Sequence, residues 1–460
     1  MQRAGLAVAR LALAVAPHAK TIWLACGPGN NGGDGLEAAI HLSSWGKRVA
    51  VTWFGDLEHA PKDALAAWQR ASNSGIQTFD AEPPELEAGD LCIDALLGIG
   101  ASRAAEGPMS RCIEHMNASP APILAVDLPT GLNADTGALM GSLPTSQQAS
   151  GQQVFARWTL TLLTAKPGLF TGHGRDLAGE IWFDDLGIDT FDMKANAMLA
   201  GAPPLVRRPH ASHKGNFGDT VVVGGDDGMS GAVVLAASAA LHAGAGRVYL
   251  CPIRPMEGML LARQPELMLR RLDSLDLTRA TVVCGCGGGQ GVAEVLPRVI
   301  STAQRLVLDA DALNALSADD ALKTLLLQRA KRGRDRARAV LTPHPLEAAR
   351  LLATDTSSVQ EDRLQAAQRL AERFQSVVLL KGSGTVIAAP GKVPVINPTG
   401  NARLATAGTG DVLAGMIGAR LSMGQAVFEA ACEAAYIHGR LADQWPGERP
   451  LTASALAASI

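Results

Sequence analysis

The sequence predicts an α/β protein made of two successive units, each a mainly parallel sheet covered by helices on both faces. Three observations carry this. Short apolar runs recur along the chain, such as TIWLAC (21–26), ILAVDL (123–128) and SVVLLKG (376–382). Longer segments of helical spacing lie between them, and such alternation is the mark of a parallel sheet with crossover helices. The alternation lapses once, over KANAMLAGAPPLVRRPHASHKG (194–215), which has three prolines and no clear periodicity, and then restarts. The expected division is therefore 1–193, a linker 194–215, and 216–460.

In the first unit, strands are expected at 21–26, 48–53, 91–96, 123–128, 158–163 and 180–185, with helices at 35–45, 61–74 and 107–117. The opening MQRAGLAVARLALAVAPHAK has the charge-then-apolar look of a short signal peptide. Arg10 interrupts the run, however, and Val8, Leu11 and Val15 recur at helical spacing, so an Ala-rich helix packed on the domain is expected. In the second unit, strands are expected at 219–225, 246–251, 281–285, 305–311, 339–343 and 376–382. Helices are expected at 230–244, 345–353, 359–374, 409–421 and 424–442. The run RAKRGRDRARA (329–339) reads as a solvated surface loop, with a functional basic patch as the alternative. No internal repeat links the halves.

Composition bounds the function. Of 460 residues, 47% are hydrophobic and 18% charged, with a net charge of −3, so the basic excess expected of a nucleic-acid binder is missing. No apolar stretch is long enough to span a membrane. The seven cysteines, Cys26, Cys92, Cys112, Cys251, Cys284, Cys286 and Cys432, are scattered and odd in number. Cys284-Gly-Cys286 has the wrong spacing for a zinc knuckle, so reduced core thiols and a cytoplasmic location are expected.

The chemistry is expected in the polar loops. Ligands of open α/β sheets bind beyond the carboxyl ends of the strands. There the first unit collects CGPGNNGGDG (26–35), DALLGIGASRAAEG (94–107) and VDLPTGLNADTG (126–137), each glycine-rich and each with a carboxylate or amide. One such loop is read equally well as a tight strand-to-helix turn; three on one edge point to a site. Glycines ahead of the helix expected at 35 expose N–H groups that can cradle phosphate. Asn31 and Asp94 supply hard oxygens for a small cation, and Asp127 is a candidate acid or base. In the second unit GTGDVLAG (408–415) places glycines and Asp411 at a helix N-terminus. Asp411 is either a cap or a base for a hydroxyl about to accept phosphate.

At this level of detail the loops resemble known families. GPGNNGGDG, DALLGIG, VDLPTGLNADTG and the later KPGLFTGHGRDLAGEIWFDDLGI (166–188) resemble the NAD(P)H-hydrate epimerase domain, a Rossmann-like three-layer fold. HKGNFGDTVVVGG, SGAVVLAASAALHAGAG, LDADALNAL, LTPHPLE, LLKGSGTVI and NPTGNARLATAGTGDVLAG resemble ADP/ATP-dependent NAD(P)H-hydrate dehydratase, a ribokinase-like α/β/α fold. Together they cover nearly the whole chain in the order seen in bifunctional bacterial repair enzymes.

The resemblance implies epimerisation of R and S NAD(P)HX at C6 by the first domain and ADP-dependent dehydration of the S form by the second. It implies that Asn30, Asn31, Gly32, Gly33 and Asp34, with the loop Gly98, Ile99, Gly100, Ala101, Ser102, Arg103 and Ala104, bind substrate. Asp127 binds it too and carries the proton, while Asn31, Asp94 and Thr130 bind K+. In the second domain it implies Asp411 as base. Ala232, Gly289 and His344 then contact the hydrate, although His344 also reads as a satisfied core histidine. Lys381, Gly382, Ser383, Gly384, Thr385 and Gly410 hold the nucleotide, ADP with Mg2+. The implied partners are NADHX or NADPHX and ADP, with assembly into homo-oligomers.

The sequence departs from the family at several points. Thr130 stands for a usual Ser, Asp226, Asp227 and Met229 for a Ser and an aromatic, and Cys286 for a proline. The chain opens at MQRAG where the family has some tens of residues more, so a missing leading helix is expected to weaken the epimerase half, unless the start is misassigned. The competing reading is a ribokinase-like vitamin kinase with a non-catalytic N-terminal binding module.

Overall fold

In the computed structural model, residues 1–79, 84–141, 151–190, 192–204, 207–256, 264–332 and 339–460 are described. They form two units, Met1–Lys194 and Ala195–Ile460.

The first unit's sheet contains β1 (Thr21–Cys26), β2 (Arg48–Trp53), β3 (Gln77–Phe79), β4 (Leu91–Ala95), β5 (Ile123–Val126), β6 (Trp158–Leu162) and β7 (Glu180–Asp184). Their order is β3-β2-β1-β4-β5-β6-β7, and every neighbouring pair is parallel. The order reverses between β1 and β4, which places the ligand crevice at their carboxyl ends. The helices are α1 (Gln2–Val15), α2 (Asn30–Ser44), α3 (Lys62–Asn73), α4 (Pro108–Ala118) and the single turn α5 (Gly174–Leu177). The opening segment is a packed helix, as its spacing predicts. Val8, Leu11 and Ala12 share a core with Leu36 and Leu42 of α2 and Ile22 and Leu24 of β1. Four strands stop short of their expected ends, β4 and β5 for evident local reasons. Leu96 N–H folds back to donate to Asp94 Oδ1 (3.1 Å), and Asp127 takes a left-handed φ of 69°.

The second unit's strands are β8 (Met198–Leu199), β9 (Asp219–Gly224), β10 (Arg247–Pro252), β11 (Met268–Leu269), β12 (Thr281–Cys284), β13 (Arg305–Leu308), β14 (Ala339–Leu341), β15 (Val377–Leu380), β16 (Val386–Ala388) and β17 (Val395–Ile396). Their order is β11-β10-β9-β12-β13-β14-β15-β16-β17-β8. The run from β11 to β15 is parallel; β16 is antiparallel to both its neighbours. The helices are α6 (Ser230–His242), α7 (Val292–Thr302), α8 (Asp311–Ala318), α9 (Asp320–Lys331), α10 (Pro345–Leu352), α11 (Thr356–Glu361), α12 (Arg363–Phe374), α13 (Thr409–Ser422), α14 (Val427–Asp443) and α15 (Ala453–Ala458). α6 and α13 pack so closely that a Cβ on Gly415 would lie 2.0 Å from the Ala236 carbonyl oxygen.

Three expectations change here. The helix expected at 359–374 is two helices, broken where the Asp362 side chain caps α12 by accepting from Gln365 N–H (2.8 Å). The run 329–339 begins inside α9, and Arg329 is buried, donating to the carbonyls of Ile300 and Gln304; residues 333–338 lie outside the described set. Within 194–215, β8 pairs with β17 and so forms the sheet's edge.

Candidate active sites

β1 ends at Cys26, and the chain turns through Gly27-Pro28-Gly29 into α2, which starts at Asn30 rather than at residue 35. The glycines thus lie inside the first turns of the helix, and most of them are there for packing. A Cβ on Gly32 would lie 2.0 Å from the Gly27 carbonyl oxygen, and one on Gly35 2.6 Å from Ala95 Cβ. Only a hydrogen-sized side chain lets α2 settle so closely on β1 and β4. A Cβ on Gly29, the N-cap, would meet nothing within 4 Å and no side chain caps the helix, so the N–H groups of this first turn remain open to an anion.

Beside that turn, Asp94 is wholly buried at the end of β4. It accepts from Thr130 N–H (2.8 Å) and Thr130 Oγ1 (2.7 Å), and Thr130 Oγ1 accepts in turn from Leu97 N–H (3.0 Å). Burial pushes the Asp94 carboxyl up to about 6, against these hydrogen bonds. Asn31 lies against Gly98, whose added Cβ would come 3.1 Å from Asn31 Cβ. Its Nδ2 is buried with no hydrogen-bond partner. An amide turned over puts its oxygen in the same spot, as a cation requires. Buried hard oxygens plus one unsatisfied amide fit a cation there.

Asp127 follows β5 in a conformation that costs a non-glycine residue energy, and such strain collects at functional sites. Its Oδ1 accepts from Leu162 N–H (3.1 Å) and from the buried Lys166 ammonium. Burial pushes the Asp34 carboxyl up to about 7; the N-terminal ammonium opposes, and the Asp127 and Glu37 charges add to the rise. The loop after β4 carries Ile99, 65% exposed, with Gly100, Ser102 and Arg103 also exposed and Gly98, Ala101 and Ala104 half-buried. Asn31, Asp34, Asp94, Asp127 and Thr130 therefore gather at one edge. Lys166 escaped the sequence reading, although it opens the quoted KPGLFTGHG segment; nothing in a single sequence pairs it with Asp127.

In the second unit, Asp411 is in the first turn of α13. The N-cap is Gly408 (φ 89°) and no side chain caps the helix, so the capping alternative for Asp411 falls away. Burial pushes the Asp411 carboxyl up to about 7; Asp309 and Asp311 add to this, while Cys286 and Lys381 oppose it. Asp309, buried at the end of β13, accepts from Lys381 Nζ (2.7 Å) and Thr342 Oγ1 (2.7 Å). Burial would lower the Lys381 ammonium, but the charges of Asp309 and Glu347 outweigh it and hold it above its ordinary value. A Cβ on Gly410 would come 3.4 Å from Lys381 Nζ, so the KGSGT turn and the α13 N-terminus face each other.

That turn is shaped by Gly382 (φ 140°) and Gly384 (φ 62°), with Thr385 Oγ1 donating to Gly382 O (3.2 Å) and Ser383 exposed. Behind it the buried Arg363 donates to the carbonyls of Leu380 (3.2 Å) and Lys381 (3.1 Å). Opposite, Gly285, Gly287 and Gly289 all take positive φ. Gly287 nestles against Ala232, and Gly289 N–H donates to Asp311 Oδ2 (2.9 Å). His344 is no core histidine. It caps α10, its Nδ1 accepting from Leu346 N–H (3.1 Å) while the Glu347 carboxylate accepts from His344 N–H (2.8 Å). Burial and the Lys381 charge lower its proton affinity. Asp226, one of the departures, accepts from Gly291 N–H (2.9 Å) and so braces the glycine turn. A cavity of about 750 Å³ opens beyond it, walled by Ile253, Arg254, Leu269, Arg270 and Arg298; Asp411 and Lys381 are not among its walls.

Residues 220–460 match the family model described as NAD(P)H-hydrate dehydratase, and residues 1–168 the one described as YjeF-related protein N-terminus. The bifunctional NAD(P)H-hydrate repair enzyme Nnr of Escherichia coli (strain K12) is 36% identical over 463 residues, covering 96% of this chain and 84% of that protein. The protein of the same description from Moorella thermoacetica is 38% identical over 467 residues, covering 94% and 84%. Among solved structures, an ADP/ATP-dependent NAD(P)H-hydrate dehydratase from Bacillus subtilis co-crystallized with ATP/Mg2+ is 30% identical. It covers 55% of this chain and 91% of that one, at a TM-score of 0.47. A vitamin kinase leaves residues 1–168 unexplained, whereas the two repair enzymes match both halves in order. The chain belongs to the family of bifunctional NAD(P)H-hydrate repair enzymes.

Proposed function

We propose that the protein repairs hydrated NAD(P)H with one site per unit. The N-terminal site interconverts R and S NAD(P)HX at C6, and the C-terminal site dehydrates the S form. The observation that carries this is the pair of half-buried or buried aspartates, Asp127 and Asp411, each at the carboxyl edge of the parallel strands of its own sheet and beside an uncapped helix N-terminus.

In the first site the open turn Gly29–Asn31 receives a phosphate of the dinucleotide, Asp34 and the loop 98–104 enclose the ring end, and Asp127 moves the proton of the C6 hydroxyl. Lys166 donates to Asp127 Oδ1 and holds the carboxylate in place. Asn31, Asp94 and Thr130 would hold K+, which supplies positive charge next to the bound phosphate.

In the second site Asp411 takes the proton of the C6 hydroxyl as that oxygen attacks the terminal phosphorus of ADP. AMP leaves; the C6–O bond then breaks to release phosphate, and loss of a ring proton restores the dihydronicotinamide. Lys381, Gly382, Ser383, Gly384 and Thr385 with Gly410 hold the nucleotide, and Mg2+ brought in with it would screen its phosphate charge. Ala232, Gly289 and His344 line the hydrate side. The division of the chain is taken as 1–193, 194–215 and 216–460, and the protein as a cytoplasmic homo-oligomer. The test is to supply separated R and S hydrates with ADP or ATP, with and without K+. Recovery of NADH absorbance from both epimers is expected; recovery from neither contradicts the proposal.

A further inference from the structure

Cys286 is the buried group that the mechanism leaves unused. It follows β12 between Gly285 (φ 119°) and Gly287 (φ 58°), a turn only glycines adopt easily, and it is completely shielded from solvent. Its Sγ and one carboxylate oxygen each of Asp309 and Asp411 lie within 4.8 Å of one another. That places the thiol beside the Asp411 carboxylate, where it lowers the proton affinity of Asp411. Lys381 gives its ammonium to Asp309, and the thiol is the neutral donor group of this cluster.

We propose that Cys286 is a positioning residue for the dehydration step: its S–H donates to the Asp411 carboxylate, fixing that side chain and favouring the form that accepts a proton. The inference rests on Asp411 being the base. Burial holds the thiol well above the ordinary range, so the donor is present at every pH at which the enzyme works. The other groups around Asp411 are accounted for. Asp309 from the end of β13 and Asp311 from α8 raise its proton affinity, and Lys381 from the loop after β15 lowers it. On α10, Glu347 and His344 face Lys381 and Asp309 rather than Asp411. On α14, His438 is buried and neutral, pushed down to about 4 by burial, its Nε2 lying 2.9 Å from the Thr409 carbonyl oxygen.

The test measures kcat/KM for dehydration of (S)-NADHX with ADP by the full chain, from about pH 5 to about 9, in wild type, C286A, C286S and C286P. In C286A and C286P the acid limb is expected to move up by about half a pH unit or more, the effect of losing a weak donor to a charged acceptor. C286S, whose hydroxyl donates, keeps the limb near its wild-type position. Coincident limbs for C286A and wild type, or a C286S limb displaced as far as that of C286A, overturn the inference. If C286A does not fold, C286P, which also lacks a side-chain donor, decides the question: an unmoved limb overturns the inference. Asp411→Asn separates the two layers: near-wild-type dehydration by that variant sinks the base assignment, whereas an inactive Asp411→Asn with an unmoved C286A limb sinks only the role of Cys286.

Discussion

Asp411 shows what a buried carboxylate costs the fold. Its value rises from 3.8 to about 7 because burial penalises the charge. A carboxyl raised in this way destabilises the folded chain above pH 3.8, by a penalty that grows until about pH 7 and is then complete. Asp411→Asn should therefore melt higher than wild type at pH 8, with a smaller gain near pH 5, while dehydration falls about 10²- to 10⁴-fold. Melting curves at the two pH values, beside the assay, check both signs. Thr130 gives the opposite case. Thr130→Val deprives buried Asp94 of a donor and Leu97 N–H of an acceptor, so a loss of about 2 kcal/mol or more is expected, while Thr130→Ser keeps both bonds and near-normal stability. Chemical denaturation of the two variants distinguishes them. The residues themselves were largely legible, because polar and charged groups in glycine-rich loops after strands have few other uses. Their partners were not: Asp127 with Lys166, and Asp411 with Cys286, meet only once the sheet has brought distant segments to one edge.

At the scale of elements, the α2 N-terminus separates two uses of glycine. Gly32→Ala drives a Cβ into the Gly27 carbonyl and should lower stability by about 2 kcal/mol or more, whereas Gly29→Ala meets nothing and should leave the melting temperature in place. If Gly29 marks where the phosphate approaches, its variant should raise KM for the R epimer instead. Arg363 is the corresponding support in the second unit, so Arg363→Ala should both destabilise the chain and raise KM for ADP, since the KGSGT turn loses its brace. Long apolar strands were readable from the sequence. β3, β8, β11, β16 and β17, of two or three residues each, were not, being too short for any periodicity. The start of α2 was misplaced because Asn and Gly are poor helix formers whose cost is here offset by close packing on β1 and β4.

For the molecule as a whole, the alternation of strand and helix was enough to give two α/β units; the second begins at Ala195, within the segment whose irregular sequence hides the edge strand β8. The antiparallel edge from β16 to β17 had no such signal. The seven cysteines are free, and six of them buried, as expected of core thiols. No described helix is long and apolar enough to cross a membrane. Two sites on separate sheets should fail separately. Asp127→Ala is expected to dehydrate the S epimer at the wild-type rate but to leave R unconsumed beyond its spontaneous epimerisation. The most direct measurement follows each epimer by chromatography as a mixed R and S sample is incubated with ADP and wild type, Asp127→Ala or Asp411→Asn. The account predicts that wild type consumes both, that Asp127→Ala strands R, and that Asp411→Asn equilibrates the epimers without forming NADH. Equal consumption of R and S by Asp127→Ala, or NADH production by Asp411→Asn at the wild-type rate, would contradict it.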